Sequence, residues 1–196
     1  MTLDAFGRFW MTLEFHLQIA GAQVTRMKNF SLNNYERAFG NWLTDNHIQY
    51  IAVDEQKRAA LGRSNIKSFD YLVNLPNRQV VVAEVKGRAF KGTSFAKLAG
   101  FECWVTADDI EGMANWQEIF GAGHTAAFVF VYRIENIDVD FDGREVYDFD
   151  GNRYVFFCVK LDGYRKFMKI RSPKWKTVTL PAESFRRCAV QMQEML

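Results

Sequence analysis

Histidine, cysteine and proline are all scarce in this chain, at three residues each among 196. His16, His47 and His124 stand at no ligand spacing from one another or from a cysteine, which argues against a zinc enzyme. Cys103, Cys158 and Cys188 are odd in number, widely spaced and free of any CxxC. A disulfide framework is therefore not expected, and a reducing, cytoplasmic compartment fits better. So few prolines argue against a long disordered tail. No uninterrupted apolar run reaches the ~18 residues needed to cross a bilayer, so no membrane partner is expected. A strong charge of one sign is also missing. The net charge is +2, so any basic footprint for nucleic acid has to be local.

What the chain has in plenty is phenylalanine, at 18 residues, within a composition that is 48% hydrophobic and 24% charged. That is ordinary for a folded chain with a sizeable core. The length suits one domain with extensions. The aromatic content leaves room for an apolar patch, and so for a homodimer interface.

Three segments are expected: an N-terminal extension over residues 1–30, a core over 31–135, and a β-rich part with a basic segment and a final helix over 136–196. Phe9 to Val24 is apolar but broken by Glu14 and His16, so Ala20-Gly21-Ala22 only loosely mimics a signal cleavage site. Residues 1–28 read either as a helical extension or as an upstream start to a chain whose pattern begins at Met27. Ser31 is a candidate N-cap for a helix over Leu32 to Thr44, with Leu32, Tyr35, Phe39, Trp42 and Leu43 on one face. Tyr50 to Val53 reads as a short strand. Ile66 to Val73 and Gln79 to Val85 read as two strands joined by the turn signal Asn74-Leu75-Pro76-Asn77-Arg78, hence a hairpin. Gly87 to Val105 reads as a loop. Thr106 can cap a helix that stops at Gly121, and Ala126 to Tyr132 reads as a buried strand. Asp142-Gly143 and Asp150-Gly151 are hairpin-type dipeptides, Tyr154 to Leu161 is strand-like, and a last helix is expected from Ala182 onward. The expected class is therefore α/β (α+β).

The chemistry concentrates on the hairpin. Glu84 and Lys86 are two apart on a strand, so both side chains leave one face. If the hairpin turns symmetrically about Asn77, Asp70 lies opposite Glu84 and shares that face. Two carboxylates in a partly buried site repel each other, and a divalent cation resolves the conflict. All-oxygen ligands suit Mg²⁺ or Mn²⁺. Lys86 would then stand beside a bound water and a phosphate, where it can orient the water or stabilise transition-state charge.

Asp70, thirteen intervening residues and then Glu84-Val85-Lys86 resembles the D…(D/E)XK signature of the PD-(D/E)XK nuclease superfamily. That resemblance implies a restriction-endonuclease-like core of helix, three strands, helix and strand. It implies metal binding by Asp70 and Glu84, help from Glu36 on the first helix, and completion of the metal shell by the Val85 carbonyl. It also implies a role for Gln117 near the scissile phosphate. More narrowly, Asn34-Tyr35-Glu36-Arg37-Ala38-Phe39-Gly40 is similar to the H-Y-E-x-A-F-E string of a little-characterised group. Asn34 stands where that string has His, and Gly40 where it has its second Glu.

Basic residues supply the candidate nucleic-acid contacts. Arg88, Lys91 and Lys97 follow the active strand. Lys166, Lys169 and Lys174 lie in a stretch from Lys160 to Lys176 that holds a single acid, Asp162, with Tyr164, Phe167 and Trp175 interleaved. The expected function is a Mg²⁺-dependent (or Mn²⁺-dependent) nuclease acting on nucleic acid, DNA ahead of RNA. Two alternatives stand beside it: an inactive nuclease-fold module that binds nucleic acid, and a protein-interaction domain. Asp138 to Gly143 begins like a calcium loop, but Phe149 occupies the place of the bidentate Glu, so an acidic hairpin fits better.

Overall fold

A computed structural model describes residues 33–53, 67–77 and 79–196. The expected extension over 1–30, the Ser31 cap and the strand start at Ile66 lie outside the described residues.

Helix α1 (Asn34–Asp45) begins under Asn33, whose side chain accepts the N–H groups of Tyr35 and Glu36 at 3.0 and 3.1 Å. Glu36 reaches back to the Asn33 backbone, closing a capping box. The helix thus starts at Asn34 rather than Leu32, because Asn33 provides the reciprocal bonds. Strands β1 (Gln49–Ala52), β2 (Tyr71–Asn74) and β3 (Val80–Phe90) follow. A two-residue strand β4 (Val105–Thr106) leads into helix α2 (Ala107–Phe120), and strand β5 (His124–Ile134) completes the core. The order helix, three strands, helix, strand is present in a mixed α/β architecture, with β4 as an addition.

β3 runs five residues beyond the expected end at Val85. It pairs in parallel with β5 along its whole length, from Val80↔His124 to Phe90↔Ile134. Gly87 was expected to open a loop, but it lies inside this ladder. A Cβ at Gly87 would fall 2.4 Å from the Tyr35 ring, so the glycine is there to let α1 approach the strand.

The C-terminal part extends the same sheet. β6 (Tyr147–Phe149) and β7 (Asn152–Lys160) form a hairpin about Asp150 and Gly151, both left-handed at φ 50 and 70°. Asp142-Gly143 also makes a tight turn, with Arg144 donating to the Phe141 carbonyl at 2.9 Å, but no named strand pair flanks it. Helix α3 (Leu161–Phe167) and strands β8 (Lys169–Ser172) and β9 (Thr177–Thr179) come next, then helix α4 (Ala182–Cys188) and strand β10 (Ala189–Gln191). The last helix is shorter than expected. Its chain returns to the sheet beside β7, and Met192 is buried in the core. The main sheet has the order β1-β2-β3-β5-β7-β10, with β6 also on β7. A second sheet has the order β4-β9-β8.

Alternation along the strands separates two packed faces. Val81, Ala83 and Val85 of β3 and Ala127, Val129 and Val131 of β5 join Ala38, Phe39, Trp42 and Leu43 of α1 in one core. Each such large side chain contributes about 1.5–3 kcal/mol when fully buried. On the other face Phe128 and Phe130 meet Tyr164 of α3 and Phe185 of α4. Glu84 and Lys86 project to this second side, where α2 lies. Among the described residues no helix is long and apolar enough to cross a membrane.

Candidate active site

The hairpin register runs from Tyr71↔Ala83 to Asn74↔Val80, which is symmetric about Asn77. Continuing it by one pair sets Asp70 against Glu84. Asp70 sits in a bend just before β2 rather than within a strand. Two bonds fix it to β3. Its N–H donates to the Ala83 carbonyl at 3.0 Å, and its Oδ2 accepts the Val85 N–H at 2.7 Å. Glu84 is buried, and the Lys86 ammonium lies 2.8 Å from Glu84 Oε1.

Two further charged residues, beyond those expected, complete the cluster. Asp109, buried in the first turn of α2, accepts from Lys86 Nζ through Oδ1 at 3.1 Å. Lys67 pairs with the same Asp109 oxygen and stands 3.6 Å from Glu84 Oε1. The two ammoniums and two carboxylates form a closed ring, Lys67–Asp109–Lys86–Glu84. Local structure places each member. Thr106 caps α2 by accepting the Asp109 N–H at 3.1 Å, and Asp109 Oδ2 accepts the Thr106 N–H at 2.8 Å. The Lys67 carbonyl accepts the Trp116 indole N–H at 2.7 Å, so α2 anchors the segment that carries Lys67. The Thr106 cap was expected from the sequence, but not Asp109 as its reciprocal partner. Nothing in the spacing of Lys67 signals its place.

The ring balances two positive against two negative charges, and Asp70 is the additional acid. Its carboxyl is pushed up to about 8, first by burial, then by Glu84, with Glu36 adding to the rise. The Val85 N–H and Lys86 pull the other way. A cation beside Asp70 and Glu84 would relieve this conflict. Mg²⁺ commonly takes one or two carboxylates and fills its remaining positions with water and phosphate oxygens, so this donor set fits it.

The other expected residues are distributed as follows. The Glu36 carboxylate is engaged by Asn33 in the capping box, while its charge is still felt at Asp70. Among the described residues no three His, Cys, Asp or Glu side chains gather closely enough to hold a metal ion together. The Glu36 carbonyl accepts the Tyr71 hydroxyl at 2.9 Å, which ties α1 to β2 next to Asp70. Gln117 Oε1 accepts the Ala126 N–H at 3.0 Å, at the start of β5. Arg88 belongs to β3 and not to a loop. It donates to the Gly87 and Trp104 carbonyls at 2.7 and 2.6 Å and lies 4.0 Å from the Trp104 ring. Lys91, Lys97, Lys166, Lys169 and Lys174 are all exposed.

No family model matches the chain, and no curated protein matches it. Among solved structures it is similar to a Holliday junction resolvase from Archaeoglobus fulgidus, with 15% identity and a TM-score of 0.45, covering 82% of this chain and 95% of that one. Those values are too low to carry a shared function.

Proposed function

We propose that this chain is a divalent-metal-dependent phosphodiesterase that cleaves nucleic acid, DNA ahead of RNA, as a PD-(D/E)XK-type nuclease akin to the H-Y-E-x-A-F-E group. One observation carries the reading: Asp70 is bonded at 2.7 Å to the N–H of Val85, the residue between Glu84 and Lys86, which pair with each other at 2.8 Å. Asp70 and Glu84 would hold Mg²⁺ or Mn²⁺, with Glu36 assisting through its charge. When bound, the cation would polarise the scissile phosphate and make water a better nucleophile.

The protein's own part is positioning and electrostatics. Glu84 and Asp109 clamp the Lys86 ammonium from two elements, so little reorganisation is needed when negative charge builds up on a phosphate beside it. Hydrolysis adds a water oxygen to phosphorus and releases one ester oxygen, which must gain a proton. Lys86 can donate to an oxygen at this point or orient the attacking water. Exposed Lys91, Lys97, Lys166, Lys169 and Lys174 would neutralise flanking phosphates.

The test is cleavage of plasmid and branched DNA with Mg²⁺ and with Mn²⁺. Wild type should cleave, and Asp70→Ala and Lys86→Ala should each lose about 10²-fold or more. Cleavage that is equal in all three, or absent in wild type, overturns the reading.

A second reading draws on the double occupancy of Glu84 Oε1, which faces both Lys67 and Lys86. Acids neutralised in this way suit a non-catalytic nucleic-acid-binding module. It would keep salt-dependent affinity in Asp70→Ala and lose it when Lys166, Lys169 and Lys174 are neutralised together.

A further inference from the structure

The basic stretch after Lys160 does not present all its aromatics to water. Tyr164 is buried, and its hydroxyl donates to the Cys103 carbonyl at 2.7 Å. Phe167 is half-buried, with Lys166 and Arg187 at 5.4 and 5.0 Å from its ring centroid. Trp175 is different. It is 70% exposed at the turn joining β8 to β9, with Ile170 also exposed on β8.

The hairpin that carries this indole is basic, although its Arg171 also faces the Glu102 carboxylate at 3.9 Å. Lys169, Arg171, Lys174 and Lys176 are all exposed, and no acid occurs from Lys169 to Thr179. The Lys174 ammonium lies 5.3 Å from the Trp175 ring centroid. Towards the turn end of β8, Arg171 lies 5.0 Å from the Trp104 ring, which Arg88 also approaches.

The hairpin is also tied to the ionic ring. β9 pairs with β4 through Val105↔Val178 and Thr106↔Thr177, and the Ala107 N–H donates to the Lys176 carbonyl at 2.8 Å. Ala107 is the first residue of α2, two before Asp109. The turn that carries Trp175 is therefore tied within one helical turn of Asp109, the Lys86 partner.

We infer that the β8–β9 hairpin is an arm that captures an unpaired nucleotide beside the cleavage site, with Trp175 stacked on its base and Lys169, Arg171 and Lys174 on the neighbouring phosphates. This rests on the phosphodiesterase reading and adds a substrate class to it. Every base offers a π-face, so stacking is tolerant of sequence. In a closed duplex those faces are covered by neighbouring pairs, and exposing one costs unstacking energy. Single strands, flaps, gaps and frayed ends are thus preferred to closed duplex.

The test is binding by the full chain in EDTA, where cleavage plays no part. Labelled oligothymidylate should bind about tenfold tighter than blunt duplex of the same length, and Trp175→Ala should remove about that factor while leaving duplex affinity unchanged. Trp175→Phe should retain most of the preference. Oligothymidylate should quench the tryptophan emission of wild type, and Trp175→Phe should lose that quench. Equal affinity for the two DNAs, or an unchanged preference in Trp175→Ala, overturns the arm. So does Trp175-dependent binding to phosphatidylserine vesicles with no quench by oligothymidylate. A chain that shows the preference but never cleaves upholds the arm and ends the phosphodiesterase reading. A chain that cleaves without the preference does the reverse.

Discussion

Lys86 and Asp109 join strand β3 to helix α2 through a 3.1 Å ion pair, and Lys67 engages the same Asp109 oxygen. Asp109 is therefore the hinge of the ring. Breaking a buried ion pair by removing one partner costs about 3–5 kcal/mol, because the other charge stays desolvated. Lys86 and Lys67 retain some access to water, with side chains 15% and 33% exposed. Asp109→Asn should therefore cost about 2–3 kcal/mol, below the fully buried case. Asp109→Ala should cost about 1 kcal/mol more, since it also removes the acceptor for the Thr106 N–H. Urea unfolding of the two variants measures both steps.

Asp70 sets a pH dependence of the metal-free protein. Its carboxyl is raised from 3.8 to about 8, so the folded state holds the proton more tightly than the unfolded state. The stability this contributes is fully present below the unfolded value and is lost as pH rises through about 8. Thermal melts in EDTA should fall from about pH 4 to about pH 8 and level off above that, and Asp70→Asn should flatten the fall. A wild-type slope that Asp70→Asn leaves unchanged would assign the effect to another group.

Gly87 tests the docking of α1. A Cβ there meets the Tyr35 ring at 2.4 Å and the Tyr35 Cβ at 2.9 Å, so relief requires the first turn of the helix to move. Gly87→Ala should cost about 1–3 kcal/mol, as overpacking does. The urea midpoint should drop with an unchanged slope.

The same glycine shows where reading the sequence succeeds and where it stops. Turn chemistry and alternation are local, so the hairpin about Asn77, the Thr106 cap and the Asp150-Gly151 turn were all legible. Gly87 looked like a loop because glycine punctuates locally, yet its reason is the ring of Tyr35, on a helix far earlier in the chain. Asn33 caps the first helix through a reciprocal bond with Glu36, a pair that the sequence also contained. The site divides in the same way. Glu84 and Lys86 follow from strand parity, and Asp70 from the register. Lys67 and Asp109 lie 42 residues apart and meet only because α2 packs on the segment before β2. After Cys188 the chain leaves the last helix to pair with β7, a long-range contact, and Met192 then enters a core made elsewhere.

Lys67 should oppose any cation that arrives at Glu84. Its ammonium is 3.6 Å from Glu84 Oε1, and at such separations like charges repel by kcal/mol amounts even at an effective dielectric near ~20. Lys67→Met should therefore bind Mn²⁺ at least about fivefold tighter than wild type, roughly 1 kcal/mol. Equilibrium dialysis measures the ratio.

The most direct measurement is a Mn²⁺ titration followed by electron paramagnetic resonance, in which the signal of the free ion disappears as it binds. Wild type should take up Mn²⁺ at one site. Asp70→Asn and Glu84→Gln should each weaken it by about tenfold or more, since each removes a charged oxygen ligand. Uptake that is missing in wild type, or equally tight in both variants, would contradict a metal centre built on these two carboxylates.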